Sequence, residues 1–440
     1  MYPDSASQSQ ALYTRARRSL PGGNTRTTVF MQPYPIYASS GAGCRVRDVD
    51  GNVLIDCINN FTALIHGHAH PVLSAAAHAQ IEQGTAFGMP TISEIELAEY
   101  LAERVPGIEQ IRFTNSGTEA VMMALKAARA YTGRAKIAKV EGAYHGSYDY
   151  AETSLESGPD NWGEDVPASV AYSRGTPAGV LSDVVVMPFN DVVAAEAILR
   201  RHGSELAGVL IDPVPNRVGL VAASPEFLAM LRRVTSELGI LLIVDEVITL
   251  RLGPGGAQQR LGITPDLTTV GKIMGGGFPV GGVGGRAEIM QVFDPSQGRP
   301  AVPHGGTFSA NPMSMTCGLA AMKLLDDGAY ADLDRKGDSL RAMLNQAFAD
   351  VGVPGQATGV GSLLKLHLHD KPITNYRNAF PDAAQRAAMN RLNVAILNEG
   401  ILMASYGLIA LSTPMTDADI AQIGTGVHTA LAQLKRDGVL

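Results

Sequence analysis

The sequence has few cysteines and no long apolar run. Only three cysteines occur among its 440 residues, Cys44, Cys57 and Cys317, and no two of them are close in sequence. An odd number without paired spacing indicates neither a disulfide framework nor a cysteine-based zinc site. The strongest apolar run, Gly239 to Val244, ends at an acidic pair and is far shorter than the roughly 18 residues that span a membrane. These absences predict a soluble protein of the reducing cytoplasm, with no membrane partner.

An excess of basic charge is also missing. The chain has 35 Lys and Arg against 42 Asp and Glu, a net charge of −7, and its basic residues are scattered. A nucleic-acid interface needs a clustered basic face, so we expect no nucleic-acid partner. A hydrophobic content of 45% with only 18% charged residues excludes a disordered chain. A globular protein of this length exceeds one ordinary core, which predicts two domains with a cleft between them.

Helix and strand patterns alternate through the middle of the chain. Strand patterns at Gly208 to Asp212 and Ile240 to Asp245 flank a helix pattern at Pro225 to Leu238, and another helix pattern covers Glu119 to Tyr131. Apolar strands joined by helices predict an α/β fold with a mostly parallel sheet, whose ligands bind at the carboxyl ends of the strands. The last third, with a helix pattern at Leu340 to Ala349, predicts a smaller α+β domain. We therefore expect an N-terminal segment (1–60), a large domain (61–310) and a small domain (311–440).

The glycine-rich segments do not match nucleotide-binding motifs. Gly275 to Gly285 does not fit G-x-G-x-x-G in any register, and the chain has no G-x-x-x-x-G-K-[ST]. The glycine tract instead follows Gly271-Lys272, which comes after the strand end at Asp245-Glu246-Val247. A buried lysine with a lowered pKa is a nucleophile for aldehydes, whereas a lysine on a solvated loop would have no such role. Both interpretations are open from the residues alone.

A segment rich in hydrogen-bond donors precedes the helix pattern at Glu119. The residues Thr114 to Ala120 read Thr-Asn-Ser-Gly-Thr-Glu-Ala. Hydroxyl groups, close backbone N–H groups and the positive end of the helix dipole together suit a phosphate. The same residues also suit ordinary N-capping, so the segment predicts a phosphate site only in context.

Taken together, these motifs resemble those of the class III, fold type I aminotransferases that depend on pyridoxal 5′-phosphate. The likeness is strongest to their glutamate-1-semialdehyde aminomutase-like and β-amino acid aminotransferase branch, and it extends over most of the chain. It depends on the order of seven motifs: Leu20-Pro21-Gly22-Gly23, Gly67-His68-Ala69-His70-Pro71, Asn115 to Ala120, Tyr144-His145-Gly146, Asp245-Glu246-Val247, Gly271-Lys272, and Gly306-Thr307-Phe308 before Asn311-Pro312.

The resemblance implies a role for each matched residue. Lys272 would hold the cofactor aldehyde as a Schiff base and then act as the catalytic base. Asp245 would hydrogen-bond the pyridine nitrogen and keep the ring an electron sink. The phosphate would be bound by Ser116, Gly117 and Thr118.

Further contacts implied by the resemblance involve the ring and a second subunit. Tyr144 would stack on one face of the ring and Val247 would pack on the other, with His145 behind them. Thr307 would reach the phosphate of the other subunit, so a homodimer with shared active sites is implied.

The substrate contacts follow from the resemblance less directly. Arg26 matches the place where relatives hold the substrate carboxylate, a task that suits a guanidinium. The usual Glu-Pro is replaced by Asp212-Pro213, followed by Arg217, which would either bind a second acidic group or pair with Asp212. The segment Ala404 to Leu408 lacks an arginine that some β-amino acid aminotransferases use. The resemblance implies transfer of an amino group from a carboxylate-bearing amine, either a β-amino acid or an unusual α-amino acid, to a keto acid by a ping-pong mechanism.

Three alternatives are open from the sequence. A 2,1-aminomutase of the glutamate-1-semialdehyde type, or a racemase, would use the same lysine, carboxylate and phosphate cup. The segment Ser154 to Thr176 is either a closing lid, as a mutase needs, or a plain surface loop. A zinc hydrolase is the remote alternative, because His66, His68 and His70 alternate. Since Pro71 and a helix pattern follow, we predict no metal there.

Overall fold

The computed structural model describes residues 2–440 and contains three β-sheets. Strand bounds follow the predicted pattern closely where apolar runs are continuous, as at the strand that ends at Asp245. The strands are β1 (Ala38–Ala42), β2 (Arg45–Asp48), β3 (Val53–Asp56), β4 (Gln110–Thr114), β5 (Lys136–Val140), β6 (Val184–Met187), β7 (Leu206–Ile211), β8 (Leu241–Asp245), β9 (Leu267–Gly271), β10 (Gly281–Gly285), β11 (Gln356–Val360), β12 (Leu363–His367), β13 (Ile401–Leu402) and β14 (Leu408–Ala410).

The largest sheet has seven strands in the order β4-β10-β9-β8-β7-β5-β6. Strand β10 is antiparallel to both of its neighbours, and all other pairs are parallel. Strands β7, β8 and β9 are buried along their whole length, as expected for a parallel sheet with helices on both faces. The predicted α/β fold with a mostly parallel sheet, the fold of the fold type I enzymes, is confirmed.

Helices cover this sheet and form most of the C-terminal part of the chain. Two of them have clear sequence boundaries, since Ser116 and Ser224 cap their first turns and glycines in left-handed conformation end them. The helices are α1 (Gln8–Ala16), α2 (Asn59–Thr62), α3 (Pro71–Gln83), α4 (Ile92–Arg104), α5 (Gly117–Thr132), α6 (Asp149–Glu152), α7 (Ala178–Asp183), α8 (Val192–His202), α9 (Pro225–Leu238), α10 (Gly256–Arg260), α11 (Ala287–Met290), α12 (Pro312–Lys323), α13 (Asp327–Val351), α14 (Tyr376–Ala379), α15 (Ala383–Asn398) and α16 (Asp417–Arg436).

The two smaller sheets link the ends of the chain. One has the order β1-β2-β3-β13, and its parallel pair β3–β13 joins residues near 55 to residues near 401. The other has the order β11-β12-β14, and the long helices α13 and α16 pack together beside it. Backbone bonds such as Ala410 N–H to Cys57 O join these two sheets. The segment that follows β3 is thereby fixed between the central sheet and the C-terminal part.

Candidate active site

A cleft of about 370 Å³ opens at the carboxyl ends of β7, β8 and β9. This is the edge at which ligands bind in open parallel sheets. Its walls also include the first turn of α5, the segment after β5, and residues from the N-terminal part of the chain. The lining residues are Arg26, Asn60, Phe61, Ala63, Asn115, Ser116, Gly117, Thr118, Tyr144, His145, Gly146, Asp212, Asp245, Val247, Ile248, Lys272, Gly277, Phe278, Pro279 and Val280.

Lys272 follows β9 directly and lines the cleft. Its backbone has a left-handed φ of 50°, which a non-glycine residue adopts only when its surroundings enforce it. Burial lowers its pKa to about 8, although Asp245 and Asp212 act in the opposite direction. A lysine with this pKa supplies neutral amine near neutral pH, so it is equipped to attack an aldehyde.

Asp245, at the end of β8, is fixed by three hydrogen bonds. Thr269 Oγ1 donates to its Oδ1 at 2.9 Å and the Val247 N–H donates to the same atom at 3.0 Å. His145 Nδ1 lies 2.8 Å from Asp245 Oδ2. The other ring nitrogen of His145 is buried without a partner in the described chain. Burial lowers the pKa of His145 against the opposing effect of Asp245. The carboxylate is thereby held rigidly at the cleft with its orientation set from behind.

The first turn of α5 forms a narrow cup at one end of the cleft. The Ser116 hydroxyl accepts a hydrogen bond from Glu119 N–H at 3.1 Å, so it does cap the helix. The N–H groups of Gly117 and Thr118 have no partner within the helix. A Cβ on Gly117 would lie 2.8 Å from Val247, and one on Gly146 would overlap Thr118 Oγ1. Glycine is therefore required at both positions for the backbone to approach its neighbours this closely. Because Ser116 caps the N–H of Glu119, the N–H groups of Gly117 and Thr118 are left for an anion, and capping and anion binding are compatible.

The other predicted cofactor contacts are divided between the cleft and the surface. Tyr144 and Val247 both line the cleft. Thr307 does not line the cleft of its own chain and is exposed, as is its neighbour Phe308.

The two arginines predicted to contact substrate differ in position. Arg26 lines the cleft, donates from Nη1 to Asn60 Oδ1 at 2.7 Å, and lies 5.7 Å from the centre of the Phe61 ring. Arg217 does not line the cleft, and its guanidinium pairs with Glu156. The alternative that Arg217 pairs with Asp212 is therefore wrong, because its ion-pair partner in the described chain is Glu156, which follows α6.

Asp212, the acid that replaces the usual glutamate, is almost completely buried in the floor of the cleft. Its Oδ1 accepts the Val214 N–H at 2.9 Å. Burial, reinforced by the nearby Asp245 charge, raises its pKa well above the usual value. The sequence did not indicate this raised pKa on the floor of the cleft.

The sequence analysis also did not predict that Asn59–Thr62, the short segment α2, is a left-handed turn. All four residues have positive φ, between 48° and 77°. Left-handed backbone costs about 1–2 kcal/mol per non-glycine residue, so other contacts must stabilise this turn. It carries Asn60 and Phe61 into the cleft beside Arg26. The only available signal was the asparagine pair, since asparagine adopts this conformation more readily than most residues.

Two of the three alternating histidines have separate structural partners, and Nδ1 of the third, His70, is buried without a partner in the described chain. His66 lies 2.9 Å from Ala321 O and 3.2 Å from Thr413 Oγ1 through its two ring nitrogens. His68 Nε2 pairs with Asp56 Oδ2 at 2.7 Å. Within residues 2–440, no three His, Cys, Asp or Glu side chains are grouped as metal ligands. The zinc hydrolase alternative has no support in this geometry.

The cleft fits pyridoxal 5′-phosphate. It contains a lysine with a lowered pKa for the aldehyde, a fixed carboxylate for the ring nitrogen, and a glycine-lined helix N-terminus for the phosphate. On a mostly parallel sheet, these groups define a pyridoxal-phosphate enzyme of fold type I.

Comparison with known proteins identifies the family of this enzyme. The model of the class-III aminotransferases matches residues 28–431. An ω-transaminase structure from Sphaerobacter thermophilus superposes with a TM-score of 0.97 at 51% identity, covering 99% of both chains. A glutamate-1-semialdehyde 2,1-aminomutase from Methanothermobacter thermautotrophicus is 42% identical over 84% of this chain and 86% of its own length. A β-phenylalanine transaminase from Variovorax paradoxus is 38% identical over 98% of this chain and 95% of its own. The chain belongs to the class-III aminotransferase family and is a pyridoxal-phosphate-dependent enzyme.

None of the helices between residues 2 and 440 combines the length and the apolar character needed to cross a membrane.

Proposed function

We propose that the protein is an aminotransferase that moves an amino group from a carboxylate-bearing amine to a keto acid in two successive half-reactions. The donor is a β-amino acid or an unusual α-amino acid. The observation that carries this proposal is Arg26, a cation on the cleft wall that has Asn60 and Phe61 as neighbours and no carboxylate partner in the described chain. A guanidinium in that setting suits the two oxygens of a carboxylate.

The chain's own residues have defined tasks in this proposal. Bound pyridoxal 5′-phosphate supplies an aldehyde for the amine and a ring that withdraws electrons from the substrate carbon. Lys272 Nζ, of which a fraction is neutral near neutral pH because burial lowers its pKa to about 8, would move a proton between the substrate carbon and the cofactor carbon that carried the aldehyde. Asp245 accepts a hydrogen bond from the ring nitrogen while Thr269 and His145 fix its position.

Orientation depends on the remaining cleft residues. The N–H groups of Gly117 and Thr118, next to Ser116, bind the phosphate. Tyr144 and Val247, which both line the cleft, would hold the two faces of the ring and fix its orientation. Arg217 would bind a second acidic group of the substrate or of the keto acid. That group would have to displace Glu156, which pairs with Arg217 in the structure.

The direct test is spectroscopic. A β-amino acid added without keto acid should bleach the visible absorption of the bound cofactor, and only a keto acid should restore it. An isomer or enantiomer of the donor amine that forms without any keto acid would contradict the proposal. It would favour the aminomutase, a function named for several relatives, or a racemase. The segment from Ser154 to Thr176 supports the aminotransferase, because Ser154 Oγ donates to Ala168 O and Trp162 packs on Tyr376 and Phe380. A loop so fixed is poorly suited to closing over an intermediate.

A second test concerns Arg26. R26A should raise the KM for carboxylated donors by roughly 30-fold, equivalent to about 2 kcal/mol of lost pairing, with little change for amines that have no carboxylate. R18A changes an exposed arginine of the same segment and should leave both values unchanged. An R26A enzyme with an unaltered KM for the β-amino acid would remove the carboxylate from the proposed substrate class.

The proposal includes a homodimer with shared sites. Support comes from Thr307, which is exposed beside Phe308, and from a group of exposed apolar side chains at Phe87, Met89, Ile92 and Ile95. A K272M chain and a T307E chain should each be inactive alone, because each lacks one part of every site. Mixing the two under exchange conditions should restore activity at one site per dimer. Failure to restore it, with dimers present, would contradict the shared site.

A further inference from the structure

Arg251 is the largest completely buried cation outside the groups assigned above. It lies in the turn after β8, only 1% exposed, and no carboxylate pairs with it in the part of the chain that the structure describes. Burial lowers its pKa to about 10. A buried charge without a counterion is unfavourable unless hydrogen bonds compensate it, and three of the five N–H groups of Arg251 have partners.

Those contacts join three segments that are distant in sequence. Nε donates to Ser362 Oγ at 3.0 Å, Nη1 donates to Thr62 O at 3.0 Å, and Nη2 donates to Leu411 O. Ser362 lies between β11 and β12, and Leu411 follows β14. Thr62 is the last residue of the left-handed turn. Arg251 therefore fastens the strained turn to the C-terminal sheet from beneath the cleft.

The opposite side of the same turn forms the cleft wall. Asn60 and Phe61 are the two turn residues that contact Arg26, through a hydrogen bond of 2.7 Å and a ring contact. Asn59 adds two further bonds, from Nδ2 to Ala410 O at 2.7 Å and from its backbone N–H to Asp56 Oδ1 at 2.9 Å. Because four consecutive residues hold an unfavourable conformation, the turn depends on these external bonds for its shape.

We infer that Arg251 is a positioning residue for recognition of the substrate carboxylate: it holds the turn Asn59–Thr62, and the turn holds Arg26 at the cleft wall. This inference rests on the proposed function, in which Arg26 binds that carboxylate. Arg251 itself touches neither substrate nor cofactor.

The substitution R251K keeps the charge but cannot reach three acceptors in a planar fork, so the turn should shift. R104K is the matched control. Arg104 likewise uses Nε and both Nη atoms to join distant segments, donating to the backbone carbonyls of Pro254, Met322 and Leu325, and it forms no hydrogen bond with the turn. A general loss of packing would affect both variants alike.

The measurement uses the holoenzyme and two donors that differ only in the carboxylate, β-phenylalanine and 1-phenylethylamine, together with the dissociation constant of 3-phenylpropanoate by calorimetry. R251K should lower kcat/KM for β-phenylalanine and weaken 3-phenylpropanoate binding by about tenfold, since a displacement of about 1 Å at a binding group has effects of this size or more. The kcat for 1-phenylethylamine should stay within about threefold of wild type, and R104K should change both donors equally.

Equal losses for the two donors in R251K would overturn the inference. If R251K does not fold, S362A removes one of the three contacts and serves as the test instead. The quantity compared is the ratio of kcat/KM for β-phenylalanine to kcat/KM for 1-phenylethylamine. A ratio lowered at least threefold supports the positioning role, and an unchanged ratio overturns it.

R26A separates the two proposals. If R26A leaves 3-phenylpropanoate binding unchanged, the carboxylate role of Arg26 fails and the role of Arg251 with it. If R26A weakens binding and the Arg251 variants do not, only the role of Arg251 fails.

Discussion

Lys139 lies on β5 and Lys272 directly follows β9 of the same sheet, yet the surroundings of the two lysines differ. Burial lowers the pKa of Lys139 to about 7 and that of Lys272 to about 8. Lys139, on β5, is completely buried, and its Nζ donates to Val140 O, Ala143 O and Thr153 O at 2.8–3.2 Å. Lys272 lines the cleft instead. A lowered pKa therefore identifies a buried amine, and only access to the cleft identifies a reactive one.

The hydrogen bonds explain the separate tasks of the two lysines. The three carbonyl oxygens are enough to engage every N–H of the Lys139 nitrogen, whether it is an ammonium with three donors or a neutral amine with two. Two of its partners, Val140 and Ala143, lie in the segment that leads to Tyr144 and His145, which gives Lys139 a structural role behind the cleft. Lys272 has an unfavourable left-handed φ and two nearby carboxylates, Asp245 and Asp212. Its amine is left available for an incoming aldehyde.

The largest expected effect comes from the same substitution at the two positions. K272M should abolish turnover, because no other amine lines the cleft, while the protein remains folded. K139M should retain turnover within about tenfold of wild type, because Lys139 touches no reacting group. Initial rates with a β-amino acid and a keto acid, with circular dichroism as the control for folding, check both. Equal inactivation of two folded variants would break the distinction between the lysines.

The second prediction concerns pH. The cofactor-free protein should take up pyridoxal 5′-phosphate faster as pH rises, with a midpoint at about 8, because only the neutral Lys272 amine attacks the aldehyde. The visible absorption that develops after mixing, corrected with K272M as a blank, measures the rate. K139M should show the same midpoint. A midpoint near 10 would mean that burial does not lower the Lys272 pKa, and a midpoint that moves in K139M would mean that the two lysines are coupled.

Motifs with local signatures were predictable from the sequence. Gly271-Lys272, the strand end at Asp245 and the helix start at Ser116 each combine a turn signal with a reactive or capping residue, and the cleft brings all three together. Their roles with the cofactor remain predictions.

Features that depend on distant contacts were not predictable. The left-handed turn contains no glycine, and its stability depends on Arg251, which is distant from it in sequence. Strands β4 to β8 lie between the turn and Arg251 along the chain. Helix α13 begins at Asp327, although the pattern indicated only Leu340 to Ala349. The interior Gly337 reads as a helix breaker, but a Cβ there would overlap Gly361 O, so the close contact of helix and turn requires it.

The smallest expected effect is on stability, and it isolates Lys139. Its pKa is about 7 in the folded protein and about 10.5 in the unfolded chain. Between these values the unfolded chain binds more protons, so the wild-type free energy of unfolding should rise with pH, by up to about 1.4 kcal/mol per unit from this group. K139M lacks this contribution, whereas Lys272 contributes equally to both proteins. Urea unfolding at pH 7.5 and 9 should therefore show wild type gaining about 2 kcal/mol relative to K139M. Parallel pH profiles would mean that the three carbonyls hold the Lys139 ammonium charged throughout this range, and that of these two lysines only Lys272 has a lowered pKa.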